Sequence, residues 1–118
     1  MFYLLIGIGA FAGAISRHLL SSFFIKASLY NFPLGTLVVN LIGCYLIGVF
    51  ISINLNHKEL LTPLLIIGFL GSFTTFSAFT KEILIYANTN GIIFAYLVAL
   101  IISSTCVFST FVGYKMFS

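Results

Sequence analysis

Apolar positions dominate the chain in four long runs, and polar residues cluster in three short stretches between them. The runs cover about residues 2–25, 33–53, 62–87 and 92–113. Each is near the length of about 20 residues that an α-helix needs to cross a bilayer. The pattern therefore predicts four membrane-spanning helices in one transmembrane domain, residues 1–118. The chain is expected to turn through residues 26–32, through residues 54–59, and at Asn88, Thr89, Asn90 and Gly91. Pro33 sits near the first turn of the second run, where its missing N–H does no harm.

Composition sharpens this picture. Of 118 residues, 61% are hydrophobic and 6% are charged, and the mean hydropathy is +1.22. A soluble domain needs far more polar surface than this. No basic residue precedes the first apolar run, and no clear cleavage site follows it, so Met1 is read as part of the mature chain. Cys44 and Cys106 both fall inside apolar runs without metal-ligand spacing and read as small hydrophobes. His18 and His57 are isolated, and no nucleophile–base pair accompanies them. The sequence therefore gives no sign of an enzyme.

The net charge of +3 is spread along the chain, not gathered in a patch for nucleic acid. Lys58 and Lys115 fall on the side of the termini. Lys26 falls on the other side, with Arg17 and Lys81 nearer to it. Orientation in a membrane follows the bias of Lys and Arg between the two sides. Here that bias is close to nil, which predicts dual topology and an antiparallel dimer.

A polar group in hydrocarbon must be paired or face a protected cavity. The polar side chains inside the runs are therefore the informative ones. Gly9, Gly13 and Arg17 recur every four residues and share a helix face. The glycines permit close helix approach. Arg17 either snorkels to the headgroups or draws anions into a vestibule. Thr36, Asn40 and Gly43 share a face of the second run. Asn40 either bridges helices, worth about 1 kcal/mol, or donates to an anion. The third run holds Gly68, Gly71, Ser72, Thr74, Thr75 and Ser77. These residues weaken a helix at mid-membrane, and the composition predicts a break there. Phe76 and Phe79 share a face beside it. Most hydroxyls of the fourth run are expected to bond to their own helix.

Three strings carry a family resemblance. The first is Gly9, Gly13, Ala14 and Arg17. The second is Pro33, Gly35, Thr36, Leu37, Val39, Asn40 and Gly43. The third is Gly68, Phe69, Gly71, Thr74, Thr75, Phe76, Ser77, Phe79 and Glu82. Their order and spacing resemble the Fluc (CrcB) family of fluoride channels. The resemblance implies an all-α, antiparallel, dual-topology homodimer in the cell inner membrane, with two fluoride pores and a central structural Na⁺. It implies that Phe76 and Phe79 line each pore, that Asn40 is the pore amide, and that Arg17 is the vestibule cation. The carbonyls of Gly71 and Thr74 from both subunits would hold the sodium. Ser77, Thr80 and Glu82 would continue a polar track, with Thr36 as a further candidate. Ala78 stands where family members often carry threonine. Tyr96 fits the fourth helix, but Leu100 stands where serine is expected four residues later, which leaves Ser103 for that role.

The function implied is passive export of cytoplasmic fluoride, which relieves its toxicity. Glu82 has three readings: protonated, paired with Lys81, or turned to hold backbone donors. Two rival functions differ in their demands. A proton-coupled multidrug exporter of dual topology needs a membrane-buried carboxylate, and residues 2–25 contain no Asp or Glu. A non-transporting membrane subunit would need the small-residue faces but no pore residues.

Overall fold

A computed structural model describes residues 1–27, 32–53 and 58–118, with only the backbone of 25–27. Helix α1 spans Phe2–Ala27 and α2 spans Leu34–Ser52. A π-helical stretch, Thr62–Leu70, runs into the single turn α3, Gly71–Phe73. Helix α4 spans Phe76–Asn90 and α5 spans Ile92–Phe117. No strand occurs among the described residues. The stretches Phe2–Phe24, Leu34–Ser52, Thr62–Asn90 and Ile92–Phe117 are each long and apolar enough to cross a membrane. The first two expected turns lie largely outside the described residues, as do His57 and the Lys26 side chain.

The third turn is tighter than the polar residues Asn88, Thr89 and Asn90 imply. Helix α4 continues through Asn90, and Gly91 alone reverses the chain with φ 95°. That region favours glycine because a Cβ would crowd the backbone. The Gly91 N–H donates to the Ala87 carbonyl at 2.8 Å, and its own carbonyl accepts from the Ala95 N–H at 3.1 Å. The two helix ends are thus closed across one residue.

Two close helix pairs organise the bundle: α1 with the π-helical stretch, and α2 with α5. Glycine sets both. A Cβ on Gly9 would run into the Leu64 carbonyl, and one on Gly13 into the Phe69 carbonyl and Ser72 Oγ. A Cβ on Gly48 would meet the Thr110 carbonyl, and one on Gly113 the Tyr45 carbonyl. Backbones approach this closely only where side chains are absent. Paired positions advance together along the chain, so each pair is parallel.

The interior is small. Val39, Leu70, Phe73, Phe79, Ala95, Ile102 and Cys106 are its buried apolar residues. Large apolar side chains instead cover the outside, among them Phe11, Phe23, Ile101 and Phe108. An exterior of that kind suits lipid rather than water.

Candidate functional site

Helix α3 ends at Phe73, and α4 begins at Phe76. Between them Thr74 (φ −83°, ψ 133°) and Thr75 (φ −146°, ψ 134°) are extended. An extended residue between helices takes its N–H and C=O out of the helical ladder, and in an apolar interior both need partners. Asn40 on α2 supplies them. The Thr75 N–H donates to Asn40 Oδ1 at 3.1 Å, and Asn40 Nδ2 donates to the Thr75 carbonyl at 3.2 Å. One side-chain amide thus pairs with the backbone as a neighbouring strand would. Asn40 bridges helices, then, and its Nδ2 keeps a second hydrogen to donate. One turn along α2, Gly43 leaves room for the Thr74 methyl.

A cavity of about 320 Å³ opens beside this junction. Its wall includes Asn40, Phe76, Phe79 and Ser103, drawn from α2, α4 and α5. The two rings lie 5.8 Å apart between centroids and are tilted by 57°. Phe79 is buried in the core, whereas Phe76 is 73% exposed. Ser77, Thr80 and Tyr96 do not line the cavity within this chain. The Ser77 hydroxyl lies 3.1 Å from that of Thr75. Thr80 Oγ1 donates to the Ser77 carbonyl at 2.9 Å. Tyr96 sits on an outer face of α5, 68% exposed.

Arg17 and the two carbonyl residues Gly71 and Thr74 belong to the same junction. Arg17 Nε donates to the Ser72 carbonyl at 3.2 Å, so a cation sits at the carbonyl end of α3, where the helix dipole favours it. Gly71 and Thr74 line a smaller cavity of about 150 Å³ together with Gly43 and Leu70. The N–H that would close the helix onto the Gly71 carbonyl belongs to Thr75, and it donates to Asn40 instead. A Cβ at Gly71 would meet only the Ile66 carbonyl, at 3.8 Å. A carbonyl released from the helix beside open space suits a small hard cation, which takes oxygen ligands.

Glu82 is turned onto the start of α2. Its Oε2 accepts from the Thr36 N–H at 3.0 Å and from the Thr36 hydroxyl. Thr36 is the third residue of that helix, and its N–H has no partner within the helix. Pro33, at the cap position, makes no side-chain hydrogen bond there. A carboxylate from another helix therefore does the work of a cap. Of the three readings of Glu82, the geometry supports the one in which it holds backbone donors.

Residues 4–114 match the family described as CrcB-like protein, Camphor Resistance (CrcB). The chain belongs to the CrcB family. Among its relatives is a protein of Campylobacter lari named fluoride-specific ion channel FluC, 40% identical over 97% of this chain and 95% of its own length. A protein of the same name from Elusimicrobium minutum is 35% identical over 96% of this chain and 90% of its own. Another, from Haemophilus ducreyi, is 50% identical over 68% and 62%. Kinship with ion channels and four membrane-length helices make this CrcB chain a multi-pass membrane protein.

Two contacts and two lining residues of this CrcB chain escape a reading by sequence. The pairing of Asn40 with Thr75 and that of Glu82 with Thr36 join residues far apart along the chain. A carboxylate in an apolar run signals that donors are near, but not which ones. Ile102 and Cys106 also line the cavity, and neither carries a chemical signal that would single it out.

Proposed function

We propose that this chain is a passive fluoride channel of the cell inner membrane, which exports cytoplasmic fluoride and so relieves its toxicity. The name borne by its relatives supports this reading. The observation that carries it is the cavity wall, where Asn40, Ser103, Phe76 and Phe79 line one space. Fluoride is small and strongly hydrated, and a pore must replace its water or bar its entry. A fixed cation at the narrowest point would hold it too tightly. Amide and hydroxyl donors in series bind more weakly. Ring edges are partially positive, because the quadrupole puts negative charge on the faces, so Phe76 and Phe79 can meet the ion edge-on. An inside-negative potential drives an anion outward with about 2.3 kcal/mol per 100 mV.

The finer architecture belongs to the same proposal. The chain acts as one transmembrane domain whose third helix is broken at Thr74 and Thr75, and two copies assemble antiparallel with dual topology. Exposed polar residues in membrane-length helices support a second copy: Ser77, Thr80, Ser103 and Ser104 are exposed in this chain, and a partner would cover them. Against a partner, Ser77, Thr80 and Tyr96 would join the path. Arg17, half-buried at Ser72, would raise the potential of the vestibule. The carbonyls of Gly71 and Thr74 from both copies would hold a structural Na⁺, which supplies positive charge at the broken helix ends. The drug-exporter reading is weaker, because Glu82, one of two acidic residues, is engaged with Thr36. The kinship with named ion channels does not favour a non-transporting subunit.

The test is efflux from liposomes containing only this protein, loaded with fluoride or with chloride. Fluoride is expected to leave rapidly while chloride stays. Vesicles that hold both ions equally well refute the proposal. Replacing Phe76 and Phe79 together by Ile is expected to abolish efflux in a protein that still folds.

A further inference from the structure

Cys44 and Cys106 belong to different helices, yet they share one cavity. Both line the cavity beside the junction. Cys44 packs against the buried cluster of Phe79, Ile102 and Cys106. Both are free. Their two helices are held together, because Gly48 and Gly113 bring α2 and α5 into backbone contact and Ser109 Oγ donates to the Leu41 carbonyl at 3.0 Å. Among the described residues, no group of three or more His, Cys, Asp or Glu side chains could hold a metal. The soft ligands of this wall are therefore two sulfurs, beside the amide of Asn40 and the hydroxyl residues Thr74, Thr75 and Ser103.

Such a set is selective. Hard cations need oxygen, and zinc takes four ligands. Thiolates favour soft metals, and two of them suffice only for an ion content with linear coordination. Charge then decides between valences. Two thiolates around a monovalent ion leave one net negative charge in a low-dielectric wall. Around a divalent ion they leave none, and burying a neutral complex is far cheaper. We propose that Cys44 and Cys106 form a two-thiolate site for a soft divalent cation of the mercuric type, through which the metal plugs the cavity. Binding follows Hg²⁺ + 2 RSH → Hg(SR)₂ + 2 H⁺. Two S–H bonds break, two S–Hg bonds form, both protons leave through the cavity, and no atom changes oxidation state.

The site is tested by titrating HgCl₂ into the purified chain. Native mass spectrometry is expected to find one mercury per chain, with two protons released and both thiols lost to maleimide. Cys44→Ala and Cys106→Ala should each weaken binding by on the order of a hundredfold, since the second contact then no longer acts at high effective concentration. Two mercury ions per chain, no binding, or a single variant that binds like the parent each overturns the site. Counting mercury on the unaltered chain needs no variant to fold.

The plug rests on the fluoride reading. Mercury should slow fluoride efflux at least tenfold against the same vesicles before addition, and a dithiol chelator should restore it. One bound mercury with undiminished efflux overturns the plug. Vesicles without fluoride efflux before any mercury is added strike the fluoride reading instead, and the binding count still decides the thiol site.

Discussion

The two halves of the third membrane-length stretch, on either side of Thr74 and Thr75, are built for different ends. The first half, Thr62–Leu70 with the turn Gly71–Phe73, is pinned. Gly9, Gly13 and Gly68 let its backbone meet that of α1. The Ser72 hydroxyl donates to the Ala10 carbonyl at 2.7 Å, and Arg17 holds the Ser72 carbonyl. The second half, α4, buries one residue, Phe79. Phe76, Ser77, Thr80 and Lys81 are exposed. A pinned half can anchor a chain in lipid. A half that leaves hydroxyl residues and a ring exposed presents their chemistry outward.

Substitutions can break this contrast. The largest effect is expected at Gly13→Leu in the pinned half. Its Cβ would fall on the Phe69 carbonyl and Ser72 Oγ, and the backbone must separate from α1, at a cost of about 3 kcal/mol. Denaturation in mixed detergent micelles should find the protein largely unfolded where the parent is folded. A stable Gly13→Leu protein would mean that the close approach is unimportant.

At the junction, Asn40→Leu leaves the Thr75 N–H and C=O unpaired. The expected loss is about 2 kcal/mol, from about 1 kcal/mol, the low end, for each orphaned group. It should appear in the same melts, together with faster amide exchange at Thr75. Glu82→Gln keeps an acceptor for Thr36 but removes the charge that favours a helix start. A loss of about 1 kcal/mol is expected, and a shift toward higher stability would contradict the capping role.

The smallest effect on stability is expected in the open half. Phe76→Ile should stay within about 0.5 kcal/mol of the parent, as exposed positions do, and yet slow fluoride efflux strongly. Phe79→Ile, within the core, should lose about 1 kcal/mol as well as efflux. If Phe76→Ile destabilises the protein as much as Phe79→Ile does, the contrast between its two rings fails.

Much of the fold was legible because lipid imposes a simple rule on sequence. A bilayer demands runs of apolar residues of fixed length, and these are countable. The glycine face of α1 was equally legible, since only a missing side chain permits backbone contact. Which carbonyl each glycine meets was not, because nothing local to Gly9 names Leu64. The end of α4 was misjudged for a related reason. Asn88, Thr89 and Asn90 carry turn chemistry, but Gly91 suffices to reverse the chain, so the helix runs on through them.

The candidate site divides in the same way. The residue type of Asn40 flagged chemistry, because a polar group is costly within an apolar run, and Phe76 and Phe79 were marked by their place beside the weakened stretch. Their partners come from other helices, and long-range pairing leaves no trace in a single sequence.

The sequence by itself determined four apolar helices, a near-absence of charge bias and a stretch of small and hydroxylated residues that weakens one helix. These follow from transfer and helix-propensity energies, which each residue carries wherever it goes. Only the tertiary structure decided that Asn40 completes the backbone at Thr75, that Glu82 caps α2 at Thr36, and that Cys44 and Cys106 line one cavity. Those outcomes depend on which helix faces adjoin, and that is settled by packing over the whole bundle.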